Sequence, residues 1–111
     1  MTLKNRRKLA LETEIGSNRR QRKCCGVLHA RITRFLPDFI DEGDQYANLR
    51  RLSIVFNITY QAVYKWMKPG RPNRITASIA QALVELSEMS DKRPSEDWRP
   101  AKVSDFWEFV V

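Results

Sequence analysis

The chain predicts an all-α fold, a small helix-turn-helix bundle of about four to five helices with a basic N-terminal arm and a short aromatic C-terminal tail. Three observations carry this. Apolar residues recur at helical spacing in successive segments. Threonine and asparagine stand where those segments begin or break, and glycine and proline where they stop. The chain has 111 residues and is 42% hydrophobic, enough for one core that folds without metal or disulfide.

Residues 1–26 hold two basic clusters, "KNRRK" and "NRRQRK". Leu11 and Ile15, four apart, allow a short helix near 3–14 that Gly16 would stop; a solvated basic arm is the other reading. Over 27–40, Val27, Leu28, Ile32, Phe35, Leu36 and Phe39 outline an amphipathic helix, which Pro37 ends near Leu36. "DEGD" at 41–44 is a turn. A second helix is expected over 45–56, with Tyr46, Leu49, Leu52, Ile54, Val55 and Phe56 as its apolar residues. Asn57 suits a left-handed turn and Thr59 an N-cap, so a third helix is placed over 59–68, ended by "KPGRPN". Thr76 caps a fourth, whose stripe is Ile79, Leu83, Leu86 and Met89 with Ala80 and Ala82 alongside. Residues 90–100 read as a polar linker. In "VSDFWEFVV", helix and strand periodicity fit equally well. The expected division is therefore an arm at 1–26, a domain at 27–89, and a linker and tail at 90–111.

The net charge of +7 favours a polyanionic partner. Its distribution is uneven: residues 1–34 carry +8, 35–48 carry −4, 49–76 carry +6 without a single acid, and 77–111 carry −3. No apolar run reaches the length of a membrane span, and no secretory pattern follows the first basic residues. Adjacent Cys24 and Cys25 point to free thiols in a reducing cytoplasm. Together with His29 they are too few for a four-ligand zinc site. The acids of "DFIDEGD" lack calcium-loop spacing, and no phosphate-binding glycine loop occurs. A non-enzymatic protein without cofactor, metal or small-molecule substrate is expected.

The informative stretch is "LSIVFNITYQAVYKW", from Leu52 to Trp66. It resembles the helix-turn-helix of phage Cro and repressor proteins, whose typical form reads "LAxxLGVSxQAVSxW". The resemblance covers about 49–70 strongly and 27–89 loosely. It implies that Leu52, Phe56, Ile58, Val63 and Trp66 are buried, that Ser53 lets two helices approach, and that "ITYQAV" opens a recognition helix. This sequence departs from the pattern with Asn57 for the usual turn glycine and Tyr64 for a small residue.

Physical reading agrees with the resemblance. On a 59–68 helix, Val63 and Trp66 share one face, while Tyr60 with Tyr64 and Gln61 with Lys65 form neighbouring rows pointing away. Gln61 matches the paired donor and acceptor of adenine, and Lys65 reaches guanine or phosphate. The candidate base-reading residues are Thr59, Tyr60, Gln61, Tyr64 and Lys65. The candidate phosphate contacts are Arg50, Lys68, Arg71 and Arg74. Packing or dimer contact is the alternative role for the tyrosines. Arg6, Arg7, Arg19, Arg20 and Arg22 form a further group that an arm could bring to DNA.

The expected function is a sequence-specific, double-stranded DNA-binding transcriptional regulator, repressor-like and of phage or prophage type. It would act in the bacterial cytoplasm as a homodimer, with Phe106, Trp107, Phe109 and Val110 as candidate dimer element or as packing onto their own domain. The alternatives are a protein-interaction module such as an antitoxin or anti-host factor, and an architectural DNA-binding protein of phage recombination.

Overall fold

The computed structural model describes residues 2–15, 26–41, 43, 45–69 and 73–111. Five α-helices follow in order: α1 Leu3–Glu12, α2 Val27–Phe35, α3 Leu49–Phe56, α4 Tyr60–Met67 and α5 Ala77–Glu88. Among the described residues there are also three 3-10 turns, Pro37–Phe39 between α2 and α3, and Val103–Asp105 and Trp107–Phe109 after α5. Among the described residues, β pairing is confined to two isolated bridges, Ile40 with Ala47 and Ile75 with Val110. No described helix is long and apolar enough to cross a membrane.

The first helix starts where Thr2 Oγ1 accepts from Asn5 N at 3.2 Å. It ends two residues earlier than expected, with Thr13 extended, and Arg51 Nη1 donates to carbonyls at that end, among them Leu11 O at 3.2 Å and Thr13 O at 2.9 Å. Ala10 is fully buried, and the helix packs chiefly against α3 and also on α5. Arg6 Nε donates to Val55 O at 2.8 Å. Arg7 pairs with Asp38 at 2.8 Å and with Asp91 at 3.3 Å. These two arginines of the expected arm are thus bound into the domain; Gly16, Arg19, Arg20, Arg22, Cys24 and Cys25 lie outside the described residues.

In α2, Leu28, Ile32 and Phe35 are buried as the spacing required, but Val27 is 60% exposed. Val27 is the first helical residue, five positions before Ile32, and this rotates it off the stripe. Leu36, restricted by Pro37, leaves the helical region with φ −122° and ends the helix.

The expected second helix loses its first turn. Residues 45–48 are not helical: Asn48 N donates to Phe39 O at 2.7 Å, and Ala47 N donates to His29 Nε2 at 3.2 Å. Buried Asn48 then caps α3, accepting from Arg51 N at 3.2 Å and donating to Asp41 Oδ2 at 3.0 Å. Tyr46 therefore stands outside the helix, packed 5.6 Å from the His29 ring. Capping and bridging outweigh apolar periodicity here.

The turn from α3 to α4 is as the residues require. Asn57 adopts φ 53° and ψ 48°, the left-handed region. Ile58 N donates to Ser53 O at 3.1 Å and Asn57 N to Ile54 O at 3.2 Å, the two bonds of a Schellman stop. Thr59 Oγ1 then accepts from Ala62 N at 3.2 Å and opens α4. In α5, capped by Thr76, Ala80, Leu83, Val84, Leu86 and Ser87 are buried. Ile79, Ala82 and Met89 of the expected stripe are only partly covered.

A single core gathers Ala10, Leu28, Ile32, Phe35, Leu52, Val55, Val63, Met67 and Leu83 with Ala101, Phe106 and Phe109. Residues assigned by sequence to arm and tail therefore complete the same core as the central helices. The tail is neither an α-helix nor a strand but two 3-10 turns ending in the bridge from Val110 to Ile75. Phe106 and Phe109 turn inward, Phe106 meeting Phe35 edge-on at 6.0 Å, while Trp107 is 65% exposed. Phe109 O accepts from Ile75 N at 2.9 Å, and Arg31 pairs with Glu108 at 2.6 Å, so backbone and charge both pin the segment.

Candidate nucleic-acid interface

The outward surface of α4 follows from which of its residues are buried. Val63 and Met67 are fully buried, and Trp66 is partly buried, its ring edge-on to Phe56 at 5.5 Å. At about 100° per residue, that leaves Gln61 and Lys65 on the opposite side, and both are exposed. Tyr64, at 36% exposure, borders them. Tyr60 does not join them: it is partly buried against the core, with the Arg50 guanidinium carbon 5.6 Å from its ring centre.

Two open grooves flank the first turn of α4. One, of about 440 Å³, is lined by Thr59, Gln61, Ala62, Lys65, Trp66, Lys68 and Arg74. It brings together five of the nine residues singled out in sequence. Ala62 and Trp66, both partly buried, also line it. The other, of about 550 Å³, is lined by Thr13, Glu14, Ile15, Arg50, Ser53, Ile54 and Tyr60. Arg71 lies outside the described residues.

The C-terminal end of α4 is held by residues that no motif marked. Gly26 N donates to Met67 O at 3.1 Å, and Asn73 Nδ2 donates to Lys68 O at 3.2 Å. Asn73 is buried and its Oδ1 also accepts from Leu28 N at 3.4 Å, so one amide ties the start of α2 to the end of α4. A β-carbon on Gly26 would lie 2.9 Å from Asn73 Oδ1 and 3.1 Å from Met67 O. Glycine is required here by close approach. The only sequence trace of this joint was Asn73 within a turn-forming run.

The basic residues around α4 differ from those paired within the bundle. Arg7, Arg31, Arg51 and Arg99 pair with acids. Arg50, Lys65, Lys68 and Arg74 are exposed, and none pairs with an acid among the described residues. Thr59 uses its oxygen as the cap acceptor, leaving its hydroxyl proton for a second partner. The surface of α4 thus offers amide, ammonium, hydroxyl and guanidinium donors beside Ala62 and Trp66. Comparison with protein-family models, curated proteins and solved structures finds no match.

Proposed function

We propose that the protein is a sequence-specific double-stranded DNA-binding regulator of transcription, repressor-like and of phage or prophage type, acting in the bacterial cytoplasm. The observation that carries this reading is the groove along α4, where exposed Gln61 and Lys65 sit with Thr59, Lys68 and Arg74 and no acid intervenes. In it, α4 lies in a major groove, which is about 12 Å wide and admits one helix. Gln61 and Lys65 address base edges; Lys68 and Arg74 fix the helix to phosphates. One such module covers too little surface for tight specific binding, so the active form is a homodimer on two-fold half-sites. Of the four tail residues, Phe106 and Phe109 are committed to their own core and Val110 packs against it, which leaves Trp107 as their contribution to that contact.

Selection from random-sequence DNA followed by footprinting tests the reading. The parent should yield one motif with repeated half-sites. Gln61→Ala and Lys65→Ala should each lose about 1–3 kcal/mol of base discrimination while staying folded. Affinity should fall linearly with salt on a logarithmic plot, each phosphate-directed cation contributing a slope of about 0.9. Absence of any enriched motif, or variants that footprint like the parent, removes α4 as a reading helix.

A further inference from the structure

We propose that Tyr60 is not a base reader but a positioning residue, whose ring holds Arg50 against the phosphates of the DNA strand on the far side of α4 from Lys68. This rests on the DNA-binding reading above.

A helix seated in a major groove has a phosphate backbone on either side. The groove holding Lys68 and Arg74 serves one side. Among the described residues, the groove on the other side of the first turn of α4 is lined by one basic residue, Arg50, which shares it with Tyr60. The Arg50 guanidinium carbon stands 5.6 Å from the Tyr60 ring centre, within the range of cation–π attraction. Tyr60 is partly buried against the core, so its ring is fixed from behind while one face meets the guanidinium. A cation–π contact acts through the charge of the guanidinium and consumes none of its N–H donors, which remain available for contact with phosphate. Glu14 lines the same groove yet forms no ion pair with Arg50. Arg50 is thus oriented by an uncharged surface, and a phosphate would meet it without displacing a carboxylate.

The test compares Tyr60→Phe, Tyr60→Leu, Arg50→Ala and the Leu/Ala double variant on the operator selected by the parent. Tyr60→Phe should bind like the parent. Arg50→Ala should lower the salt slope by about 0.9 per module. Tyr60→Leu should weaken binding about two- to fivefold, the scale of an exposed cation–π contact, and lower the salt slope in the same direction. The double variant should be no weaker than Arg50→Ala alone, and all four should select the parent's motif. A changed motif in either Tyr60 variant would show that Tyr60 reads bases and overturn the proposal. So would a Tyr60→Leu effect that adds fully to Arg50→Ala, or an unchanged slope in Arg50→Ala. In the free parent, the Arg50 δ protons should be ring-current shifted; normal shifts overturn the contact even where Tyr60→Leu does not fold. A parent that selects no DNA sinks the functional reading itself, a separate outcome.

Discussion

Phe106 and Trp107 are neighbours with opposite exposure, and replacing each by alanine should give opposite results. Phe106 is fully buried and meets Phe35 edge-on at 6.0 Å, whereas Trp107 is 65% exposed. Truncating a buried phenylalanine costs about 3–5 kcal/mol in lost transfer energy and residual cavity. Small domains hold about 5–15 kcal/mol in total, so Phe106→Ala should remove a large part of the stability. At roughly 4 °C per kcal/mol for a chain near this size, the melting temperature should fall by about 12–20 °C. Trp107→Ala, away from any buried network, should change unfolding free energy by no more than about 0.5 kcal/mol. Urea unfolding followed by circular dichroism, at a protein concentration too low for self-association, measures both. A loss under about 1 kcal/mol in Phe106→Ala, or a larger loss in Trp107→Ala, would refute the inward assignment of the tail. By the same reasoning, deleting residues 104–111 should unfold the protein rather than merely separate a dimer.

Gly26→Ala should destabilise by about 1–2 kcal/mol: overpacking costs about 1–3 kcal/mol, partly offset by reduced freedom of the unfolded chain. A more stable Gly26→Ala in the same urea assay would show that the 2.9 Å approach to Asn73 relaxes freely. Asn57→Gly should leave stability near the parent, while Asn57→Val should cost about 1–2 kcal/mol for a β-branched residue at positive φ; equal melting of the two would contradict the left-handed turn. The Asp105 carboxyl is held below its usual range chiefly by hydrogen bonds from Arg99, against partial burial, with the Lys102 N–H adding to the effect. Its folded-state value is therefore lower than its unfolded one, near 3.9. The stabilisation is complete above that value and lost as pH falls through the folded-state value. Urea midpoints between pH 2 and 7 should fall less steeply in Asp105→Asn than in the parent, and parallel profiles would disprove the linkage.

The helical architecture was legible because its signals are local. Thr59, Thr76 and Asn57 each do in the structure what their side chains do in short peptides: two cap, and one turns left-handed. The exposed pair Gln61 and Lys65 followed from placing Val63 and Trp66 on the opposite face of the helix. What stayed hidden depends on partners distant in sequence. Nothing near Arg51 says that it will donate to the end of a helix forty residues earlier, and a basic cluster looks solvated until Val55 O and Asp38 are seen to receive Arg6 and Arg7. Tyr60 and Tyr64 occupy the same row of one helix, yet α3 covers the first and not the second. The tail was ambiguous for the same reason: Phe106 is placed by Phe35 and Phe109 by Ile75, not by a period of their own.

The chain's lone imidazole carries a spectroscopic consequence. His29 Nε2 accepts from Ala47 N, so the neutral ring carries its proton on Nδ1. With one histidine in 111 residues, a single pair of side-chain nitrogen resonances reports that tautomer and needs no assignment by mutagenesis. The signal watches the seam where α2 meets the lead-in to α3. Under the proposed DNA-binding role, adding DNA should leave it unmoved if the bundle binds as a rigid body, and should displace it if binding reshapes the helices behind α4.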